Sequence, residues 1–398
     1  MDIKRPILIV ALAIVSYLMV LQWNQDYGQV QLPSEQNQQT SSQPQASGAE
    51  QLHDDVPVLE ADAEAVEPQA PVSSELIRVS TDVLQLAIDP KGGDVVELLL
   101  PQYPRRQDRP DVPFQLFENS RERTYLAQSG LTGEKAPDTR QGRSVWNSES
   151  REYSLAEGQD ELVVELTLEK DGIHYIKRYS FTRGDYDVAV SYHIDNRSTA
   201  NWTGRMYAQL KRDASDDPSS TTATGTATYL GAAMWTADEP YKKISMGDID
   251  DKSLQLNVTG GWVAWLQHYF VTAWIPPKDS TNSVQARKDS QGNYIIGYTG
   301  PYLEVAAGAQ AETSATLYAG PKIQEELEAL SPGLRLTVDY SFLWFIAQPI
   351  FWLLENIHDF LGNWGWSIIV LTIIIKLIFF PLSAASYRSM ARMRAMDL

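Results

Sequence analysis

The chain has 398 residues, and with 43% hydrophobic residues, 11 Trp and 19 Tyr it holds material for one large packed domain with accessories or for two ordinary domains. Its 51 acidic against 33 basic residues leave a formal charge of −18, a field that repels phosphate backbones and argues against a nucleic-acid partner. The absence of cysteine excludes disulfides, thiol catalysis and zinc-thiolate sites, and the five histidines show no metal-ligand spacing, so no cofactor or metal is expected.

From Pro6 to Leu21 the only polar side chains are Ser16 and Tyr17, and Gln22 and Trp23 bring the run to about 27 Å of helix. Lys4 and Arg5 precede it, and Leu21-Gln22-Trp23-Asn24 offers no small-x-small cleavage site. Residues 6–23 therefore read as an uncleaved signal-anchor behind a cytoplasmic start at 1–5, in preference to a removed signal peptide. Residues 24–74 turn to Gln, Ser, Pro, Ala and acids, with nine Asp or Glu and no Lys or Arg between Asn24 and Pro71. Half the charge imbalance thus sits in a self-repelling, disordered tether that cannot build a core.

From about Glu75 the apolar residues recur with period two. Leu162, Val164, Leu166 and Leu168 alternate with Glu165, Thr167 and Glu169, and Val188, Val190, Tyr192 and Ile194 alternate with Ser191 and His193. Turn signals separate such runs at Pro90-Lys91-Gly92-Gly93, Glu157-Gly158-Gln159-Asp160 and Arg183-Gly184-Asp185. The pattern predicts one large all-β sandwich over 75–333, closed by a strand at Ala315–Tyr318 and a short helix, Ile323 to Leu330, that Pro332-Gly333 stops.

Ser341 to Leu361 is apolar, yet Gln348, Glu355 and Asp359 fall on one helical stripe opposite Phe342, Phe345, Ile346, Leu353 and Ile357. Such a helix lies in the membrane interface, so 334–363 is predicted as an interfacial amphipathic region. After Gly362-Asn363, residues 364–382 give a second span of about 28 Å interrupted by Ser367, Thr372 and Lys376. Arg388, Arg392 and Arg394 follow in 383–398. With Lys4 and Arg5 before the first span, two crossings put both ends in the cytoplasm and the β domain outside, as the positive-inside rule requires.

Lys376 stands about 9 Å from the cytoplasmic end of that span, where a cation costs on the order of 3 kcal/mol. Two readings are open: its stem snorkels to the headgroups, or it faces a wet cavity and offers positive charge to a passing chain.

Three stretches resemble the bacterial YidC membrane protein insertases: Gly260-Gly261-Trp262-Val263-Ala264-Trp265-Leu266-Gln267-His268-Tyr269-Phe270; Leu336-Thr337-Val338-Asp339-Tyr340 running into Trp344-Phe345-Ile346-Ala347-Gln348-Pro349; and Gly362-Asn363-Trp364-Gly365-Trp366-Ser367-Ile368-Ile369. The resemblance implies an α-helical membrane protein of the bacterial inner membrane carrying a periplasmic β-supersandwich similar to sugar mutarotases. The family's core has five transmembrane helices, of which this chain supplies the first, so it is expected to be a fragment or a truncated form. By resemblance, Lys376 takes the place of a basic residue, expected to be arginine in most relatives, in a hydrophilic groove open to cytoplasm and lipid, with Thr372 lining the same face. No chemical step is implied. The groove eases the polar tail of a nascent membrane protein across the barrier, alone or with the Sec translocon. Tyr387 to Leu398, with its three arginines, resembles the start of a cytoplasmic hairpin that receives substrate or ribosome; an anchor on anionic lipid is the other reading.

Two rival functions are carried forward. A membrane-anchored mutarotase-like sugar enzyme or binder would need an acid and a base converging on one sugar, and His174, His193 and His268 are its available imidazoles. A docking platform for the Sec translocon would have no need of Lys376.

Overall fold

The structure, a computed structural model, describes Pro57 and residues 75–106, 108–139, 142–219, 229–339 and 344–394. The signal-anchor at 6–23, and the tether apart from Pro57, lie outside the described residues. What is described falls into two compact units, one ending at Val338 and one beginning at Asp339.

The first unit carries out the period-two reading. Its 22 strands among the described residues form a thirteen-stranded and a nine-stranded sheet. In the smaller sheet Glu161–Lys170, Ile173–Thr182 and Asp187–Asn196 form an antiparallel meander, and Gln310–Pro321 pairs with its last strand. The inward positions of that meander are apolar and buried, Val164, Leu166, Tyr175, Tyr179, Val190 and Tyr192 among them. Each such side chain removed from water stabilises the sandwich by roughly 1.5–3 kcal/mol. The closing strand runs on from Gln310 to Pro321, because both its edges find partners, and the helix that follows is Gln324–Leu330.

The larger sheet joins strands far apart in sequence. Trp202–Arg212 lies between Thr124–Gly133 and Tyr294–Thr299. Between the sheets lie Trp146, Trp202, Trp262, Trp265 and Trp274, all nearly inaccessible. The Tyr125 hydroxyl donates to Thr272 Oγ1 at 2.8 Å, joining residues 147 apart in the chain. The turn at Gly92-Gly93 needs glycine, since φ is +79° and +67° there. The first unit runs on past 333 to Val338: Leu334–Thr337 makes a 3₁₀ turn whose Leu334 and Thr337 are fully buried.

The second unit is a helical hairpin of Trp344–Leu361 and Trp364–Arg394. Gly362 closes the first helix in the left-handed region (φ +63°), its N–H donating to His358 O at 2.7 Å. Asn363 opens the second, its Oδ1 accepting from the Trp366 N–H at 3.2 Å. His358 stacks on Trp364 at 3.8 Å between centroids, 16° from parallel. The second helix passes Pro381 without a break, so the span and the expected cytoplasmic segment are one continuous rod.

Candidate functional site

Helical spacing sorts the second helix into two sides. Ser367, Val370, Leu371, Ile374 and Ile375 recur at intervals of three and four and are buried or half-buried. Ala347, Phe351, Leu353, Leu354, Ile357 and His358 are the half-buried set on the first helix. The other side of the second helix carries Ile368, Thr372 and Lys376 in steps of four, all exposed. Around them Ile373, Leu377, Ile378, Phe379 and Phe380 are also more than half exposed. A helix that leaves this much apolar surface uncovered is suited to lipid, and Trp364–Pro381 is the one helix among the described residues long and apolar enough to cross a membrane.

Lys376 and Thr372 therefore share one stripe, turned away from the hairpin contact. The Thr372 hydroxyl is already engaged, donating to Ile368 O at 2.7 Å, so this residue presents an oxygen and not a free donor. Arg388 is exposed about 18 Å further along the same helix, whose backbone also includes Arg392 and Arg394. On the first helix the predicted polar stripe of Gln348, Glu355 and Asp359 is exposed, and so are Phe345, Ile346, Ile350, Trp352 and Phe360. Phe342 of the predicted apolar stripe lies outside the described residues, and of the other four only Leu353 and Ile357 are half-buried.

The β unit holds a second constellation that sequence reasoning missed. Lys177, fully buried, donates from Nζ to Gly92 O at 3.1 Å, Gly93 O at 2.8 Å and Ser129 O at 3.0 Å. Its ammonium also lies over the rings of Tyr179 and Tyr192, 5.3 and 5.2 Å from their centroids. Beside it Arg143 bonds Asp94, reaches Asp138 Oδ2 at 3.4 Å and donates to Ser129 O at 2.9 Å. Tyr207 donates to Asp138 at 3.0 Å and Gln128 to Asp94 at 2.9 Å. Two cations thus balance two carboxylates out of water. Burial pushes the Lys177 ammonium down to about 7 against the opposing pull of the Asp94 carboxylate, and pushes the Asp94 carboxyl up against Arg143 and Lys177. A signal was present: Lys177 occupies the inward register of its strand between Tyr175 and Tyr179.

The imidazoles do not converge. His174 and His193 take the outward register of the smaller sheet, whereas His268 sits edge-on to Tyr269 in the turn after Val263–Leu266. Among the described residues no group of three or more His, Asp or Glu is placed to hold a metal ion.

Comparison with known proteins follows the same division. The family profile described as the YidC periplasmic domain matches residues 76–353, and that of the 60Kd inner membrane protein matches residues 356–397. The membrane protein insertase YidC of Ectopseudomonas mendocina is 67% identical over 100% of this chain and 73% of its own length. That of Stutzerimonas stutzeri is 68% identical over 100% of this chain and 72% of its own. Among solved structures, the Slr1438 protein of Synechocystis covers 66% of this chain and all of its own at 10% identity and a TM-score of 0.39. A galactose mutarotase related enzyme of Lactobacillus acidophilus covers 61% of this chain and 97% of its own at 9% identity and 0.40. At those scores the structural likeness carries no functional argument.

Proposed function

The chain belongs to the YidC family of membrane protein insertases, and on that premise we propose that Lys376 is the working charge of a hydrophilic groove through which polar tails of incoming membrane proteins pass. The family's function is not enzymatic: it acts on membrane proteins in the inner membrane, and the β unit is its periplasmic domain. The observation that carries the groove reading is the placement of Lys376, exposed on the stripe opposite the packed face of its helix. A cation there lowers the cost of bringing a carboxylate below the headgroups, since opposite charges in a medium of intermediate dielectric attract by about 2 kcal/mol at 8 Å. Thr372 adds a polar surface one turn away, and the adjoining apolar side chains offer the client's own helix an exit into lipid.

In this reading the first span and the Trp364–Pro381 helix cross the membrane with both ends of the chain cytoplasmic. Arg388, Arg392 and Arg394 receive the client, or the ribosome that delivers it, and the Sec translocon is a partner for larger clients. Clustered arginines on the cytoplasmic extension of a span suit both a phosphate-rich partner and anionic headgroups.

Because the chain has no native cysteine, single cysteines test the groove directly. In membranes, Lys376→Cys and Thr372→Cys are expected to react with a charged, membrane-impermeant maleimide added from the cytoplasmic side. Leu377→Cys and Ile373→Cys are expected to react at least about tenfold more slowly, as side chains in lipid do. Equal reactivity at all four positions would remove the groove.

A further inference from the structure

One strand of the nine-stranded sheet keeps part of an edge open. Gln310–Pro321 pairs with Asp187–Asn196 from Gln310 to Tyr318, but on its other edge Phe270–Ile275 covers only Thr316 to Pro321. Pro276-Pro277 follow, and two residues without a backbone N–H end that ladder and lead the chain to Thr281–Lys288 of the larger sheet. Among the described residues no strand pairs with Gln310–Ala315 on that side. A cavity of about 280 Å³ lies there, lined by Glu312, Thr313 and Ser314 in succession. Neighbouring side chains of a strand point to opposite faces, so a cavity that meets three in a row meets the strand at its edge, where backbone donors and acceptors lie. The facing wall comes from the larger sheet, where Arg205 and Met206 sit between two ladders: Tyr294–Thr299 stops opposite Tyr207 and Leu303–Val305 begins opposite Gly204.

Polar groups around this cavity lack protein partners. Tyr298 lines it and is only 3% exposed, yet its hydroxyl has no hydrogen-bond partner among the described residues. Arg205 Nε is likewise buried and unpartnered; its guanidinium lies 4.5 Å from the centroid of the exposed Tyr302 ring and meets no carboxylate among the described residues. Glu312, exposed, meets no cation among them. Asn282, by contrast, is engaged in its own turn, accepting from Ser280 Oγ and donating to Ser280 O, both at 2.9 Å. We propose that the cavity is a peptide-binding site: a short extended segment of a partner protein, carrying one carboxylate and one basic side chain, adds as a strand to the open edge of Gln310–Ala315. Its backbone bonds the edge in line with Phe270–Ile275, which gives affinity, while side chains entering the cavity give selectivity. At about 3.3 Å per residue the contact is about 20 Å long. Arg205 takes the carboxylate, Glu312 pairs with the base and disfavours a second acid, and the Tyr298 hydroxyl donates to an oxygen of the segment. The open edge is what selects a peptide, since a small sugar would fill the cavity and leave the edge unpaired. The site is separate from the groove at Lys376 and does not depend on it.

The test titrates the full chain in lipid nanodiscs with the hexapeptide acetyl-Val-Asp-Thr-Val-Lys-Val-amide, followed by calorimetry. Saturable binding is expected. Methylating every second backbone nitrogen of the peptide should weaken it at least about tenfold for one of the two alternate sets, because only one edge of the peptide meets the strand. Arg205→Gln should weaken this peptide about tenfold and leave its asparagine analogue unchanged. Tyr298→Phe should weaken binding several-fold while leaving the urea midpoint of the peptide-free protein the same or higher, since it removes a buried hydroxyl that has no partner. A merely structural tyrosine would instead lose stability and keep its affinity. No saturable binding at millimolar peptide, indifference to both methylated sets, an equal effect of Arg205→Gln on the two peptides, or galactose binding in place of the peptide would overturn the proposal.

Discussion

Insertion of clients with acidic extracellular tails is expected to fall about tenfold when Lys376 becomes alanine, and to stay within about twofold of the unchanged protein when it becomes arginine. The size follows from one charge contact: about 2 kcal/mol of attraction at 8 Å and an effective dielectric near 20, reduced by the salt that enters a wet groove. Arginine keeps the charge and lengthens the reach. Since lysine has no fork for bidentate recognition, the proposed groove would work through field and not through fixed geometry. Clients with uncharged tails should lose much less, and Thr372→Val little for either class, because its hydroxyl is already held by Ile368. The measurement is protease protection of reporter clients in cells where the variant is the sole insertase. Undiminished insertion of acidic-tailed clients by Lys376→Ala would mean that the ammonium merely snorkels.

The β unit should lose about 3 kcal/mol of stability on Lys177→Met, a large share of the roughly 5–15 kcal/mol typical of a domain. Methionine fills most of the volume but leaves the Gly92, Gly93 and Ser129 carbonyls without their donor, and leaves Asp94 and Asp138 facing Arg143 alone. The pH dependence separates this from a simple packing loss. The folded Lys177 ammonium is held down to about 7 while the unfolded chain keeps its ordinary value of 10.5, so between these values the unfolded state binds more protons. Stability therefore rises as pH increases from about 7, by up to 1.4 kcal/mol per unit, and Lys177 contributes no slope below that window. Near pH 10 the gain stops, because burial holds Tyr179 and Tyr192 protonated and an unfolded chain releases those protons first. Urea unfolding followed by tryptophan fluorescence at pH 6, 7.5 and 9 should show the rise in the unchanged protein and its absence in Lys177→Met. Parallel curves would place the charge elsewhere.

The buried cluster and the exposed stripe differ in how readily the sequence discloses them. Lys376 interrupts an otherwise apolar helix, and a local count of residues suffices to find it. Lys177 lies on an alternating strand where polar residues are ordinary. Its register between Tyr175 and Tyr179 marks it as inward, but its carboxylate neighbours, Asp94 and Asp138, come from segments far upstream. The three histidines show the reverse case: as residue types they suggest an acid–base site, but the fold leaves His174 and His193 on the outward face of the smaller sheet and His268 in a turn beside Tyr269.

The sequence by itself determined the division into apolar ends, an acidic segment and an alternating middle, the all-β class of that middle, the two helices about Gly362-Asn363, and the lysine that interrupts an apolar helix. These depend on periods of two and 3.6 residues and on composition, which are local. Only the tertiary structure decided which strands neighbour which, and that Lys177, Arg143, Asp94 and Asp138 share one dry interior. Those outcomes rest on pairings between residues tens to more than a hundred positions apart, such as Tyr125 with Thr272, and no local period encodes them.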